Sequence, residues 1–240
     1  MRKTLPTLVS LAALAAIYHY LSPNLPSDVG NLLLTISSFL FAVFTGFFMA
    51  RQGDRYSSIR QAIAEFDGNL TAIYRDFGHL SKELQDRAAG IIRRHYETIV
   101  KERAWDWHFV HKSDTITSLH GVLDGASAID TSSAVRGQAV EGVRSALDNL
   151  QVVRKNMIGL HVERIPLFQW TLILILAAVL LAAISSVPSS IFGSLLKGAF
   201  GTSVLLIIVL LRDFDGLKFF EGAIGMSSAQ DILGILEGKK

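Results

Sequence analysis

Two short segments of the sequence carry histidines or carboxylates at spacings that could bind a metal ion. In the first, Asp106, His108 and His111 lie within a tryptophan-rich segment. A zinc site needs a third or fourth ligand at a fixed spacing, and the neighbouring sequence offers none. Tryptophan-rich amphipathic segments more often pack between helices or against lipid headgroups. We therefore predict neither a metal centre nor a cofactor.

The second segment contains Asp213 and Asp215, which immediately precede Gly216. These two carboxylates form a candidate cation site. Calcium ions in proteins take about six to eight oxygen ligands, so two carboxylates beside a glycine are far fewer than a calcium loop supplies. A solvated turn is the simpler interpretation of the pair.

The sequence lacks the patterns of common catalytic and nucleic-acid-binding proteins. It has no cysteine, which excludes thiolate nucleophiles and thiolate metal sites. Neither a glycine-rich phosphate loop nor an ordered set of serine, histidine and aspartate is present. Lysines and arginines number 23 against 21 acidic residues, which leaves no basic surplus for a nucleic-acid partner. We predict that the protein is not an enzyme and binds no nucleic acid.

Four apolar segments are long enough, or nearly so, to cross a lipid bilayer. A helix needs about 20 mostly apolar residues for this. The segments form two hairpins, each joined by a proline-containing linker: Leu5 to Leu21 with Leu32 to Ala50, and Leu167 to Ile184 with Leu195 to Leu211. The lipid bilayer is therefore a predicted partner.

Basic residues flank only the open ends of these hairpins, and the two linkers contain none. Because lysine and arginine in short flanks are held on the cytoplasmic side, we predict that both termini are cytoplasmic. A bacterial inner membrane is the expected location. Lys197, inside the fourth segment, is expected to snorkel to the outer interface. The flanking residues are Arg2, Lys3, Arg51, Arg55, Arg60, Arg164, Arg212 and Lys218.

The first apolar segment has a second interpretation. Arg2 and Lys3 followed by an apolar run, with small residues at Ala13 and Ala15, also match a secretory signal. Cleavage of this segment would leave the predicted orientation of the other three unchanged.

Outside the four apolar segments, apolar residues recur mainly at helical steps of three and four. Together with those segments, this predicts an all-α fold with four spans. Residues 1–50 and 166–212 are the membrane hairpins. Residues 51–165 form a cytoplasmic helical bundle between them, and residues 213–240 form a cytoplasmic tail. Within the bundle, Ser81 is expected to cap a helix that continues to about Val110.

One set of residues repeats at steps of three and four from the bundle into the second span without a change of phase. Gly53, Gly68 and Gly78 are candidate breaks in such a helix. In the bundle the set is apolar: Leu84, Leu80, Phe77, Ile73, Leu70, Phe66, Ile63, Ile59 and Tyr56. In the span it becomes small and polar: Gln52, Met49, Thr45, Ala42, Ser38 and Thr35.

This change is expected at a face that contacts protein throughout, since helices in lipid associate through small and hydrogen-bonding residues. We predict that the small and polar residues line a pore. We predict that three phenylalanines on a neighbouring face form a gate that excludes water: Phe41, Phe44 and Phe48. Lipid contact or core packing is the alternative for them. Arg51 and Arg55 would lie at the inner mouth.

Arg154 lies on the core-facing side of the last helix of the bundle. A buried guanidinium without a counter-charge is very costly, so we expect a carboxylate partner. Glu65 and Glu97 are the candidates.

The sequence resembles the bestrophin-like domain family of bacterial and plant membrane proteins, a family largely without an assigned function. The residues that carry the resemblance are Phe39 to Val43; Glu65, Leu70, Tyr74 and Arg75; Tyr96, Val100 and Glu102; Arg154, Ile165, Pro166 and Trp170; and Phe214 and Gly216. Family members usually have Asp-Arg-Pro-Phe-x-Gly after the last span, where this chain reads Leu-Arg-Asp-Phe-Asp-Gly. No match to the acidic calcium clasp of animal bestrophins is present.

The resemblance implies an oligomeric ion channel with a phenylalanine-lined central pore built from the second span. We therefore predict a tetramer or pentamer that conducts an ion. The alternative is a membrane-anchored sensor or scaffold, a dimer whose cytoplasmic helical domain binds a protein partner.

Overall fold

A computed structural model describes residues 4–20, 27–111, 113–125, 133–185, 190–218 and 225–238. Helices form most of this part of the chain, and no strand occurs in it, which confirms the all-α class. The helices are α1 (Thr4–Tyr20), α2 (Ser27–Leu80), α3 (Lys82–Glu102), α4 (Trp107–Val110), α5 (Thr115–Gly125), α6 (Ala134–Val162), α7 (Leu167–Ile184), α8 (Ile191–Asp215) and α9 (Gly225–Leu236).

The chain divides into two compact units. One consists of Met1–Gly53 and Arg164–Gly216 and is called the span unit below. The other consists of Asp54–Glu163 and Leu217–Lys240 and is called the helical unit. Helix α2 contributes residues to both units and is unbroken at Gly53 and Gly68.

Three helical segments are long and apolar enough to cross a membrane. They are Asp28–Leu80, Ala134–Ile184, whose apolar part is α7, and Ile191–Asp215. Their most apolar windows have mean hydropathies of 2.1, 2.5 and 2.1. Helix α1 has 17 residues and is not among them. The first of the four predicted spans, Leu5 to Leu21, therefore stays a prediction.

Helix α1 packs closely on α8 through glycines of α8. A Cβ atom placed on Gly198 would lie 2.9 Å from both the Cβ and the backbone nitrogen of Ala15. At Gly201 the nearest atom would be a methyl group of Leu14, at 3.2 Å. In addition, the Tyr18 hydroxyl donates to the Leu181 carbonyl at 3.1 Å. Small residues that let two backbones approach are typical of helix packing in lipid.

This close approach makes Gly198→Ala destabilising. We expect it to lower the free energy of unfolding by about 1–3 kcal/mol, since the added methyl group overlaps Ala15. Gly90→Ala in α3 is the matched control. Nothing lies within 4 Å of a Cβ at Gly90, and alanine is the better helix former, so its stability should rise by up to about 1 kcal/mol. Thermal unfolding in detergent measures both; a shift of the same sign in the two variants would contradict the packing argument.

Lys197 is buried within the span unit at the end of α7, and its predicted snorkelling to the outer interface stays a prediction. Its side chain is only 1% exposed, and Nζ donates to the carbonyl of Ser185 at 3.3 Å. Ser185 is the C-cap residue of α7. Carbonyl groups at a helix C-terminus favour a cation, so Lys197 caps α7 from within the span unit.

The core of the helical unit forms around the α2 face predicted from the spacing. Ile59, Phe66, Leu70, Ile73 and Phe77 are each at most 4% exposed. They belong to one apolar cluster with residues of α3, α5, α6 and α9, including Leu84, Ile92, Leu119, Val143, Leu147, Leu150, Met157, Ala229 and Ile232. Burial of the apolar side chains on this face is the main force that holds these helices together.

Two residues, one at each end of α3, determine where this helix begins and ends. Ser81 is the N-cap residue, and its hydroxyl accepts a hydrogen bond from the backbone N–H of Leu84 at 3.2 Å, as predicted. The helix ends at Glu102 because Arg103 adopts a left-handed conformation with φ of 53°. The predicted continuation to Val110 is therefore wrong, and residues 107–110 form the separate helix α4.

Candidate functional site

The span unit separates the predicted pore-lining residues into two groups. One group is buried within the chain: Phe41, Thr45, Phe48 and Gln52. The other is exposed or half-buried: Thr35, Ser38, Ala42, Phe44 and Met49. Only the second group presents side chains to the outside of a single chain. Fewer residues of α2 are therefore available to line a pore than the sequence predicted.

The phenylalanines proposed as a gate belong mainly to the interior of the span unit. Phe41 and Phe48 share an apolar cluster with Ile173 of α7 and Val204 of α8. Phe44 is half-buried and stacks on Phe48 with ring centroids 6.4 Å apart. The exposed phenylalanines of α2 are instead Phe39, at 67% exposed, and Phe47, at 61%. The role of Phe41, Phe44 and Phe48 in a gate stays a prediction.

The hydroxyl groups of α2 bond to carbonyls of their own helix. Thr35 Oγ1 donates to the Asn31 carbonyl at 2.9 Å, Ser38 Oγ to the Thr35 carbonyl at 3.0 Å, and Thr45 Oγ1 to the Phe41 carbonyl at 2.5 Å. A hydroxyl that donates in this way still has lone pairs that can accept a hydrogen bond or face a cation. Thr35 and Ser38 therefore present oxygen acceptors on the accessible surface of α2.

The two predicted mouth arginines have different environments. Arg51 is exposed. Arg55 is 4% exposed, and its guanidinium donates from Nε to the Leu160 carbonyl at 2.7 Å and from Nη2 to the His161 carbonyl at 2.9 Å. Since these carbonyls belong to the last turn of α6, Arg55 caps that helix. Arg51 is thus the more accessible of the two charges.

In the candidate cation site at the C-terminal end of α8, Asp215 makes a structural contact. Asp215 is 9% exposed, and its Oδ1 accepts a hydrogen bond from the backbone N–H of Ile165 at 2.7 Å. This contact joins the end of α8 to the segment that precedes α7. Within the described ranges, no three His, Cys, Asp or Glu side chains are grouped to hold a metal ion.

The residues of the tryptophan-rich segment have separate partners. His108 stacks on His95 with ring centroids 3.8 Å apart, and its Nε2 donates to the His95 carbonyl at 2.9 Å. His111 stacks on Trp107 at 3.8 Å. Asp106 lies 3.2 Å from Nδ1 of His161. The three side chains considered as metal ligands therefore do not converge on one point.

A polar centre lies inside the helical unit, at positions that the sequence did not single out together. Asp67 of α2 accepts hydrogen bonds from the hydroxyls of Tyr96 in α3 and Ser228 in α9. The three residues line a cavity of about 20 Å³, which is enough for one water molecule. The only sequence signal was an aspartate beside Phe66 on the buried side of α2.

Burial controls the ionisation of this centre. It raises the pKa of Asp67, an effect that hydrogen bonds from Ser228 and Tyr96 partly offset. Burial, together with the neighbouring Asp67, raises the pKa of Tyr96 well above its ordinary value. Burial, and then the neighbouring His108, lowers the pKa of His95 well below 6.5. His95 is therefore neutral at pH 7, and its Nδ1 lies 3.0 Å from the Thr115 hydroxyl.

Comparison with known families identifies one match. The family model for the bestrophin-like domain matches residues 6–229, which is nearly the whole chain. Neither the curated proteins nor the solved structures gave a match. With three apolar helices long enough to span a bilayer, the chain fits an integral membrane protein related to bestrophin channels. The chain belongs to the bestrophin-like domain family.

Proposed function

We propose that the protein is an oligomeric ion channel of the bestrophin-like type, built from four or five copies around a central pore. The observation that carries the proposal is an accessible strip on α2 that includes two hydroxyl-bearing residues, within a largely apolar span. The strip consists of Thr35, Ser38, Ala42 and Met49 and is called the α2 strip below. At 3.6 residues per turn, these four positions fall within about 60° of the helix circumference.

The two faces beside the α2 strip are both apolar. On one side, Phe41 and Phe48 pack into the interior of the span unit. On the other side lie Phe39, Val43 and Phe47, each at least half exposed. Acyl chains suit the second face, whereas hydroxyl-bearing residues suit a water-filled axis or close contact with another copy. The α2 strip is therefore the surface that we assign to the pore.

Arg51 follows the α2 strip along the helix and is exposed. At 3.6 residues per turn it lies about 160° around the helix from Met49 and one turn after Phe47, so its charge does not face the α2 strip. Replacing Arg51 by glutamate should therefore leave the relative permeability of anions and cations unchanged. A shift of that permeability towards cations would mean that the side of α2 that carries Phe47 and Arg51 faces the pore.

Cysteine modification can test the α2 strip because the chain has no native cysteine. The protein is reconstituted in liposomes, and ion flux is measured under separate sodium, potassium and chloride gradients. A single cysteine at Thr35, Ser38 or Ala42 should allow a charged thiol reagent to reduce the flux by more than half. Matched cysteines at Phe39 and Val43 should leave the flux unchanged after treatment.

Two results would overturn parts of the proposal. If the unmodified protein supports no flux under any of the gradients, the channel assignment fails, and a membrane-anchored sensor or scaffold becomes the better hypothesis. If the reagent blocks flux through cysteines at Phe39 and Val43 but not through those at Thr35 and Ala42, the pore lies on a different face of α2.

A further inference from the structure

Arg154 of α6 does not have the predicted carboxylate partner among the residues that the structure describes. Both predicted partners, Glu65 and Glu97, are exposed. None of the described carboxylates forms an ion pair with Arg154. Its Nε atom is buried and has no hydrogen-bond partner. A buried N–H group of a cation without an acceptor costs free energy, so a missing acceptor is expected close to this atom.

Arg154 lies at the inner end of a polar recess in the helical unit. A small inner cavity of about 10 Å³ is lined by Arg154, Ser113, His108, His95 and Thr115 among others. An outer cavity of about 210 Å³ shares His95, His108 and Thr115 with it. The outer cavity is further lined by Ile91, Arg94, Thr98, Asp114 and Ser118. The two cavities together are called the arginine recess.

The lining of the arginine recess favours a negatively charged ligand. Arg94 and Arg154 contribute two positive charges, against one negative charge from Asp114 at the outer cavity. Hydroxyl groups such as that of Ser118 can donate hydrogen bonds to an anion without adding charge. Guanidinium groups are well matched to the oxygens of carboxylates and phosphates.

We propose that the arginine recess binds a small oxyanion, a phosphate or a carboxylate group, in its outer cavity, which Arg94 lines and which shares His108 with the inner cavity of Arg154. The anion would supply negative charge near the Arg154 guanidinium, whose charge already acts on His108 in the shared wall, and Arg94 would bind the anion directly. Serine and threonine hydroxyls would complete its coordination. This site is separate from the α2 strip, so its test does not depend on ion conduction.

The affinity of the recess for an oxyanion should depend on pH through the protonation of His108. Burial lowers the pKa of His108, its hydrogen bond to the His95 carbonyl and the charge of Asp114 raise it, and the charges of Arg154 and His111 lower it. A bound anion favours the protonated imidazole. Binding of sulfate, whose own charge does not change in this range, should therefore tighten as the pH falls from 7.5 to 6.

Calorimetric titration of the full-length protein in detergent tests the site. The probes are sodium phosphate, sodium sulfate and sodium acetate, each added in a zwitterionic buffer. We expect saturable binding of at least one probe and a Kd at least tenfold weaker in Arg154→Gln and in Arg94→Gln. Arg93→Gln is the matched control, because Arg93 is the exposed neighbour of Arg94 and does not line the recess.

The pattern of binding decides the outcome. Preference for phosphate and sulfate assigns a tetrahedral oxyanion, whereas preference for acetate assigns a carboxylate. The proposal is overturned if none of the three probes binds, or if Arg94→Gln and Arg93→Gln bind the preferred probe equally well. Arg94 is exposed and is not part of the core, so this comparison remains decisive even if Arg154→Gln fails to fold.

Discussion

Replacing Asp67 by alanine is expected to lower the free energy of unfolding of the helical unit by about 2–4 kcal/mol. The substitution removes the acceptor of two hydroxyls, those of Tyr96 and Ser228. Tyr96 is 2% exposed, so bulk water does not reach its hydroxyl, and a single water molecule in the enlarged cavity would replace the lost carboxylate incompletely. For a chain of this size, such a change corresponds to a fall in Tm of roughly 5–15 °C.

Tryptophan fluorescence can follow this unfolding, because Trp105 lines the same cavity as Asp67. A Trp170→Phe background removes the signal from α7. Asp86→Ala is the matched control: Asp86 pairs with Lys82 on the surface of α3, where an ion pair contributes little. Equal Tm shifts in the Asp67 and Asp86 variants would contradict a stabilising role for the buried carboxyl.

Acidification below about pH 6.5 is expected to destabilise the helical unit through its buried histidines. Burial lowers the pKa of His95 well below 6.5 and also lowers that of His108. In the unfolded chain both imidazoles bind a proton near pH 6.5, whereas in the folded chain His95 stays neutral. The unfolded state therefore gains more protons as the pH falls. Stability should decrease by up to about 1.4 kcal/mol per pH unit for each such histidine.

Chemical denaturation of the protein between pH 7.5 and pH 5 measures this slope. His95→Gln keeps a polar side chain at the position but removes the titrating ring, so the slope of this variant should be shallower by up to about 1.4 kcal/mol per pH unit. His79→Gln, at an exposed position of α2, is the control and should retain the original slope. A slope that His95→Gln leaves unchanged would show that other groups cause the acid sensitivity.

The core of the helical unit was predictable because water imposes a single rule on its helices. Apolar residues at steps of three and four must face protein, and Ile59 to Phe77 of α2 do so. The cap at Ser81 followed from a local hydrogen bond. The end of α3 at Arg103 was not predictable, because the residue that ends a helix in a left-handed conformation is usually glycine, and here it is an arginine.

The contacts of the span unit were less predictable, since lipid and protein interior are equally apolar. Spacing alone placed Thr45 and Ala42 on one surface, whereas Thr45 is buried within the chain and Ala42 is exposed. The cap that Lys197 makes on α7 was not predicted, because it depends on a residue 12 positions away in another helix. The partnership of Asp67 with Ser228 joins positions 161 residues apart, a distance at which no local pattern gives a signal.

That same contact bears on how the protein is made. The helical unit is discontinuous along the chain: α9 supplies Ser228, Ala229 and Ile232 to a core begun by α2. Helices α7 and α8 are therefore synthesised before the residues of α9 that complete this core. Newly synthesised chains must keep the unfinished bundle from aggregating during that interval. For the same reason, a recombinant fragment of residues 54–163 would lack α9, so isolating the helical unit calls for a fusion of that fragment to residues 217–240.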